Sequence, residues 1–292
     1  MSSLTVLATG PLTTVQDVGR PGLAALGVGP SGAADRRSYG LANRLLANPD
    51  AAAALEVTLG GLSLRVDAET WFAVTGADLD VLVDSGSGAA AVGRNASFVV
   101  PSGGTLTLGM ARSGLRAYVA VRGGVDIGHT LGSRSTDTLS GLGPEPLSDG
   151  DVLAVGPRPG DLPDLDVAAV ATPEAGEVEL GVLRGPRDDW VVDVDDLVRT
   201  VWQTSDHSDR VGMRLSGKAP GLRHRDENGQ LPSEGLVRGS IQVPPGGEPV
   251  LFLADHPMTG GYPVVAVLVA NDTDTAAQIR PGQSIRLHWS RR

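Results

Sequence analysis

Cysteine is absent from the 292 residues, which removes disulfides, thiolate metal sites and cysteine nucleophiles together. Positive charge is scarce: 24 basic residues against 34 acidic leave a formal charge of −10. That balance disfavours a broad phosphate-binding surface, and nucleic acid is a poor partner. Long apolar runs are missing as well. The longest, Val264 to Ala270, falls far short of the roughly 18 residues that span a bilayer. The opening MSSLTVLATG has no basic n-region, so a soluble, cytoplasmic protein is expected.

What is abundant is backbone punctuation. The chain holds 40 Gly and 20 Pro, yet 41% of it is hydrophobic. It can bury a core, and disorder is excluded, whereas long helices are disfavoured because Gly and Pro cost about 1 and 3 kcal/mol per interior position. Short runs bounded by turn formers read as strands: Leu62 to Val66, Trp71 to Thr75, Leu79 to Val83, Ser97 to Val100, Thr105 to Leu108, Ala117 to Val121 and Val152 to Val155. A turn-then-strand unit recurs at Val100–Leu106, Leu147–Leu153, Val243–Gly246 and Ile279–Ile285 without an even period. That pattern predicts hairpins in barrels or sandwiches rather than a solenoid.

Two stretches read as helical. From Arg36 to Leu46 the apolar Tyr39, Ala42, Leu45 and Leu46 share one face, with Asp35 as N-cap and Asn48-Pro49 as the stop. From Asp193 to Trp202 the pattern is weaker. At about 150 residues per domain the length predicts two domains. The Pro-rich stretch after Gly156 places a linker over 159–176, between an N-terminal β domain (1–158) and a C-terminal one (177–292). A long surface loop within one domain is the alternative.

Two phosphate-binding patterns occur without their context. Gly27-Val-Gly-Pro-Ser-Gly32 precedes the predicted helix, with Glu56 at a ribose-contact distance in sequence, but no strand leads into it. Gly212 to Lys218 imitates a phosphate loop, but Ala219 replaces the metal-binding hydroxyl and Pro220-Gly221 forbids the helix. The five histidines form no H-x-x-x-H pair and no serine sits in G-x-S-x-G, so no metal site is expected. His256 stands out because Asp255-His256 precedes the Gly260-Gly261-Tyr262 turn, where N–H groups could face a ligand.

Polar residues and glycines concentrate in a few segments: Thr14 to Arg20, Ser31 to Asp35, Leu131 to Asp137, Ser208 to Leu215, Gly239 to Pro244 and Asp255 to Pro263. Arginine in such turns presents a planar donor, and glutamine with backbone N–H groups complements an amide. The set suits carboxylate or amide substrates.

These segments, in this order, resemble the biotin-dependent carboxyltransferase family called allophanate hydrolase subunit 2. The resemblance rests on TTVQDVGRPG (13–22), GVGPSGAAD (27–35), LANRLLAN (41–48), ALEVTLGG (54–61) and AVTGAD (73–78). It continues through YVAVRGGVD (118–126), LGSRSTD (131–137), SDRVGMRLSG (208–217), GSIQVPPGGEPV (239–250) and TGGYPVVAVL (259–268). It implies a mainly β chain of two β-barrel-like subdomains, related to the cyclophilin-like fold, with few short helices. Family members include the C subunit of the prokaryotic ATP-dependent 5-oxoprolinase, also named as the antagonist of a sporulation kinase inhibitor, and a region of urea carboxylase.

The function this implies first is that of a 5-oxoprolinase C subunit, opening the lactam to glutamate with ATP, inactive alone and working with the A and B subunits. The B subunit is the kinase-inhibitor-like, allophanate hydrolase subunit 1-like chain. Carboxyl transfer to urea or another amide, with biotin arriving on another chain, and regulatory binding without chemistry stay open. The candidate residues are Gln16, Asp17, Arg20, Ser31, Asp35, Arg134, Ser135 and Thr136, then Asp209, Arg210, Gln242, Asp255, His256, Gly260, Gly261 and Tyr262. Asp17 or Asp255 is the expected general base, Arg134 and Arg210 the carbonyl or carboxylate orienters, and Gly260-Gly261 the oxyanion donors. The chain departs from the family at Pro257-Met258 and at Val264, where lysine is frequent. Its one lysine, Lys218, lies elsewhere.

Overall fold

The computed structural model describes residues 2–165, 167–217, 221–226 and 229–290, which leaves Lys218 outside the described residues. The chain divides into two compact units. Unit 1 comprises Met1–Arg20, Ser31–Asp137 and Gly141–Pro173; unit 2 comprises Pro21–Pro30, Thr138–Ser140 and Glu174–Arg292.

The strands of unit 1 are β1 (Ser3–Thr9), β2 (Leu12–Gln16), β3 (Ala54–Thr58), β4 (Leu62–Val66), β5 (Thr70–Asp78), β6 (Val81–Asp84), β7 (Ala89–Val92), β8 (Ser97–Val100), β9 (Thr105–Leu108), β10 (Ser113–Val121) and β11 (Val152–Ala154). They form a six-stranded sheet, β11-β1-β4-β9-β6-β7, and a five-stranded sheet, β2-β3-β10-β5-β8. Strand alternation explains the core between them: Leu62, Leu64 and Val66 of β4 are buried while Arg65 is exposed. β10 is buried at all nine positions. Ala117, Val119 and Val121 join the main core, whereas Tyr118 and Ala120 on its other face pack under helix α1 (Arg36–Arg44). That helix starts where expected, with the Asp35 carboxylate accepting from Ser38 N–H at 3.0 Å. Gly10 is obligatory, because a Cβ there would lie 2.0 Å from the Gly60 carbonyl oxygen.

Unit 2 contains β12 (Val178–Arg184), α2 (Asp196–Arg199), β13 (Val201–Thr204), β14 (Gly212–Gly217), β15 (Glu234–Gly235), β16 (Ser240–Gln242), β17 (Val250–Phe252), β18 (Thr259–Gly260), β19 (Val264–Leu268), α3 (Ala270–Ala276) and β20 (Ser284–Trp289). Seven strands close a barrel in the order β12-β19-β16-β17-β14-β13-β20. Closure removes both sheet edges and gives Leu180, Trp202, Met213, Leu215, Ile241, Val265 and Ile285 a common interior. β15 and β18 form a separate ribbon.

The mainly β expectation holds, with α1 to α3 as the only α-helices among the described residues. The weaker helix over Asp193–Trp202 is corrected: only Asp196–Arg199 is helical, and Val201 and Trp202 lie on β13. Barrel closure overrides the local periodicity, since Trp202 pairs with Gly217 on one side and Ile285 on the other. The helix α3 has the sequence ANDTDTA, rich in residues of low helix propensity, and it escaped the sequence reading for that reason.

One ion-pair group sets an acid limit on unit 1. Asp78 of β5 is held by Arg112 and by Arg94 at 2.7 Å, and the hydrogen bond from Arg112 first, then the Arg94 charge, pull its pKa below the ordinary 3.8. A lowered pKa means stability that is present above the unfolded value and is lost as pH falls through the folded one. Asp78→Asn is therefore expected to cost at most about 1 kcal/mol at neutral pH and to flatten the acid limb of thermal stability below pH 4. Identical limbs for variant and parent would contradict this.

Candidate functional site

In unit 1 the segments singled out in the sequence converge at the end of β2. Asp17, which follows that strand, is the hub. Its Oδ1 accepts from Gly19 N–H at 2.8 Å and from the hydroxyls of Ser133 and Ser135 at 2.6 Å each, and its Oδ2 accepts from Arg134 N–H at 2.6 Å. The Asp17 N–H in turn donates to Ser135 Oγ. Gln16 donates through Nε2 to Thr14 Oγ1 and to the Thr136 carbonyl, which also accepts from Ser31 Oγ. Arg20 donates from Nη2 to the Ser135 carbonyl and from Nε to that of Thr130. Ser31 and Gly32 both hold positive φ, at 49° and 87°. A Cβ on Gly32 would meet the backbone of Val18 and Gly19 below 3.0 Å, so the second turn lies directly on the first.

Three buried atoms of this cluster have no hydrogen-bond partner among the described residues: Gln16 Oε1, Arg20 Nη1 and Thr136 Oγ1. Buried polar groups are nearly always satisfied, so each of these three atoms is a position at which a ligand or water would complete the bonding. They offer an acceptor, a cationic donor and a hydroxyl that can do either.

Other expected residues are engaged internally. Arg134 reaches the Ile127 carbonyl, His129 and Asp126. Asp35 caps α1, with Ser38 on both carboxylate oxygens. Four donors engage Asp17, three on Oδ1 and one on Oδ2.

Beneath this cluster lies a network the sequence reading missed. Glu56 of β3 stands opposite Tyr118 of β10. It accepts from the Tyr118 hydroxyl at 2.8 Å and from Ala34 N–H at 2.9 Å, and lies 3.4 Å from Arg116 Nε. Tyr118 Oη also accepts from Asp35 N–H. The Ser31–Asp35 turn is thus tied to the sheet. A glutamate inside the apolar run Ala-Leu-Glu-Val was the available signal, because a charge on a strand buried on both faces requires a buried partner.

In unit 2 Asp255 receives Arg210 Nε and Nη2 at 2.8 and 2.9 Å, and Thr138 through both N–H and hydroxyl. This carboxylate too is saturated, and Arg210 is committed to it. Asp209 is exposed and closes its own turn through Val211 and Gly212 N–H. His256 is buried with Nδ1 on the Pro257 carbonyl. Gln242 donates to the Tyr262 carbonyl at 2.8 Å, and its Nε2 lies close enough to Gly260 that a Cβ there would stand 2.7 Å away and displace the amide. Gly260 pairs with Glu234 in the β15–β18 ribbon, followed by Gly261 and the half-exposed Tyr262. A cavity of about 290 Å³ in unit 2 is lined by Val192, Asp193, Asp196, Thr200, Trp202, Gly221 and Arg223, none of them an expected site residue.

The two phosphate-binding patterns do not fold as such. Gly212–Gly217 is β14, its ladder shared with β13 and β17, so its N–H groups cannot cradle phosphate. Glu56, buried against Arg116 and Tyr118, is not placed for a ribose. Val264 packs with Leu236 and Phe252, an apolar setting hostile to an ammonium. Among the described residues no group of His, Asp and Glu is arranged to hold a metal ion.

The network behind the Ser31–Asp35 turn has a measurable signature. Burial first, then the Glu56 charge, push the Tyr118 hydroxyl well above its ordinary 10. A raised pKa gives stability that is complete below the unfolded value and is lost as pH rises toward the folded one. Tyr118→Phe is expected to cost roughly 1–3 kcal/mol and to lose less stability than the parent between pH 9 and 11. Chemical denaturation across that range checks both, and a cost below about 0.5 kcal/mol would contradict the role given to the hydroxyl.

Comparison with known proteins places this arrangement. The family model described as carboxyltransferase domain, subdomain A and B, matches residues 26–289. The chain is 36% identical to the C subunit of 5-oxoprolinase from Escherichia coli (strain K12), over 97% of this chain and 89% of that protein. It is 32% identical to urea amidolyase of Saccharomyces cerevisiae, over 98% of this chain but 16% of that protein. The solved K. lactis urea amidolyase superposes with a TM-score of 0.86 at 30% identity, covering 98% of this chain and 18% of that one. TTHA0988 superposes equally well, at 32% identity, with 99% of this chain matched to 55% of the other. With its motifs, its β architecture and its whole length matched, the chain belongs to the carboxyltransferase subdomain A and B family.

Proposed function

We propose that this chain is the C subunit of an ATP-dependent 5-oxoprolinase, acting with the A and B subunits to open 5-oxoproline to glutamate. The observation that carries the reading is the trio of unpartnered buried atoms in unit 1, Gln16 Oε1, Thr136 Oγ1 and Arg20 Nη1. A lactam presents an N–H donor beside a carbonyl acceptor, and Gln16 Oε1 with the Thr136 hydroxyl complements that pair. The identity to a protein named as a 5-oxoprolinase C subunit supports the choice of lactam.

In the overall reaction water adds to the lactam carbonyl, the C–N bond breaks, and the ring nitrogen takes a proton to become the amine of glutamate. A second water is consumed as ATP is converted to ADP and phosphate. An unstrained amide resists this without activation, and the chain's part is to hold the amide, with Thr136 Oγ1 donating to the carbonyl oxygen as charge develops there. The nucleotide is expected on another chain of the complex, because the one phosphate-loop-like segment forms β14.

Co-purification with the neighbouring candidates for the A and B subunits tests the reading. Glutamate and ADP are expected from 5-oxoproline with all three chains together, and from no chain alone. Urea-dependent turnover with a biotinylated carrier, and none with 5-oxoproline, would overturn it in favour of carboxyl transfer. Thr136→Val, close in volume, is expected to lower kcat about 100-fold, the scale of a lost oxyanion donor, while assembly is unchanged. A loss below threefold would remove Thr136 from the site.

A further inference from the structure

Three arginines are buried among the described residues, Arg20, Arg116 and Arg210. Two of them face a carboxylate: Arg116 faces Glu56 at 3.4 Å and Arg210 is bidentate on Asp255. Arg20, 2% exposed, has none among the described residues. Its Nε and Nη2 donate to the carbonyls of Thr130 and Ser135, and Nη1 has no partner among those residues. A guanidinium taken from water without a counter-charge is costly, and two neutral carbonyls only partly offset that cost.

The carbonyls instead fix the plane of the guanidinium and leave its remaining donors directed elsewhere. Planar, preorganised donors of this kind match a carboxylate. The surroundings also limit the charge that fits. The N–H groups of Gly19 and Arg134 are bound to Asp17 and that of Asp17 to Ser135, so these three backbone donors are not available to a phosphate. One cationic donor without a partner among the described residues suits a monoanion.

We infer that the Arg20 guanidinium anchors the carboxylate of a small anionic amide. The site thereby selects carboxylated lactams over neutral amides. Arg134 and Arg210, the arginines first expected to orient a carboxylate, are engaged internally and are not the anchor. Gly143 packs against Arg20, since a Cβ there would lie 3.2 Å from Nη2 and 2.0 Å from the Ser135 carbonyl oxygen. The assignment of the carboxylate to a lactam rests on the function proposed above; the anion site itself does not.

Calorimetric binding of 5-oxoproline, of 2-pyrrolidinone, which is the same lactam without the carboxylate, and of bicarbonate tests the inference on the full chain and on its complex with the A and B subunits. 5-Oxoproline is expected to bind tenfold to a hundredfold more tightly than 2-pyrrolidinone, the worth of a charged hydrogen bond. Arg20→Gln is expected to reduce that ratio to near one, and Arg20→Lys to retain part of it. The comparison of ligands on the parent protein needs no variant, so a misfolded Arg20→Gln leaves the inference testable. A ratio within threefold in the parent, or one that survives in Arg20→Gln, overturns it. Arg20-dependent binding of bicarbonate alone would support the anion site and overturn its assignment to a lactam. Glutamate production by a complex in which Arg20 makes no such difference would overturn the anchor and leave the proposed function standing.

Discussion

One carboxylate organises the unit 1 site. Asp17 gathers four donors from its own turn and from residues 133–135, joining segments that are 116 to 118 positions apart in sequence. Without that joint, Gln16, Arg20 and Thr136 would have no common frame, because the Thr136 and Ser135 carbonyls that orient Gln16 and Arg20 belong to the joined segment. The hydrogen bonds are charge-assisted and short, the class that holds geometry best in a low-dielectric interior. Asp17 thus sets the positions of its neighbours.

A second buried acid does similar work from below. Glu56 connects β3, β10 and the Ser31–Asp35 turn, so the turn with two positive-φ residues is fixed from both sides. In unit 2 Asp255 ties Arg210 and Thr138 together in the same manner. Buried pairs of this kind add little net stability compared with an apolar replacement, but losing one partner is expensive. They specify where the loops lie. Arg20 departs from the pattern: it is buried with no acid against it among the described residues.

Much of the scaffold was legible because its determinants are local. Leu62–Val66, Ser97–Val100 and Thr105–Leu108 are strands with the bounds their alternation predicts, and α1 begins after Asp35 as its capping signal requires. Trp202 was misread because its strand pairing lies with Gly217 and Ile285, which local periodicity does not sense. The site segments were visible as glycine-rich polar turns, but the roles within them were not. Asp17, Asp255, Arg134 and Arg210 are all held by partners that the sequence does not show, most of them tens of positions away. Arg20 and Arg134 read alike in sequence. Only their partners distinguish a cation joined to Asp126 from one facing no acid among the described residues.

The proposed amide site comprises Gln16, Thr136 and Arg20. A crystal structure of the chain, within its assembled complex, grown with 5-oxoproline tests it most directly. Ligand density is expected with the lactam N–H on Gln16 Oε1, its carbonyl on Thr136 Oγ1 and its carboxylate on Arg20 Nη1, each within hydrogen-bond distance. Density for the ligand beside Gln242 and Tyr262, or in the cavity near Trp202, with the unit 1 cluster unchanged, would contradict it.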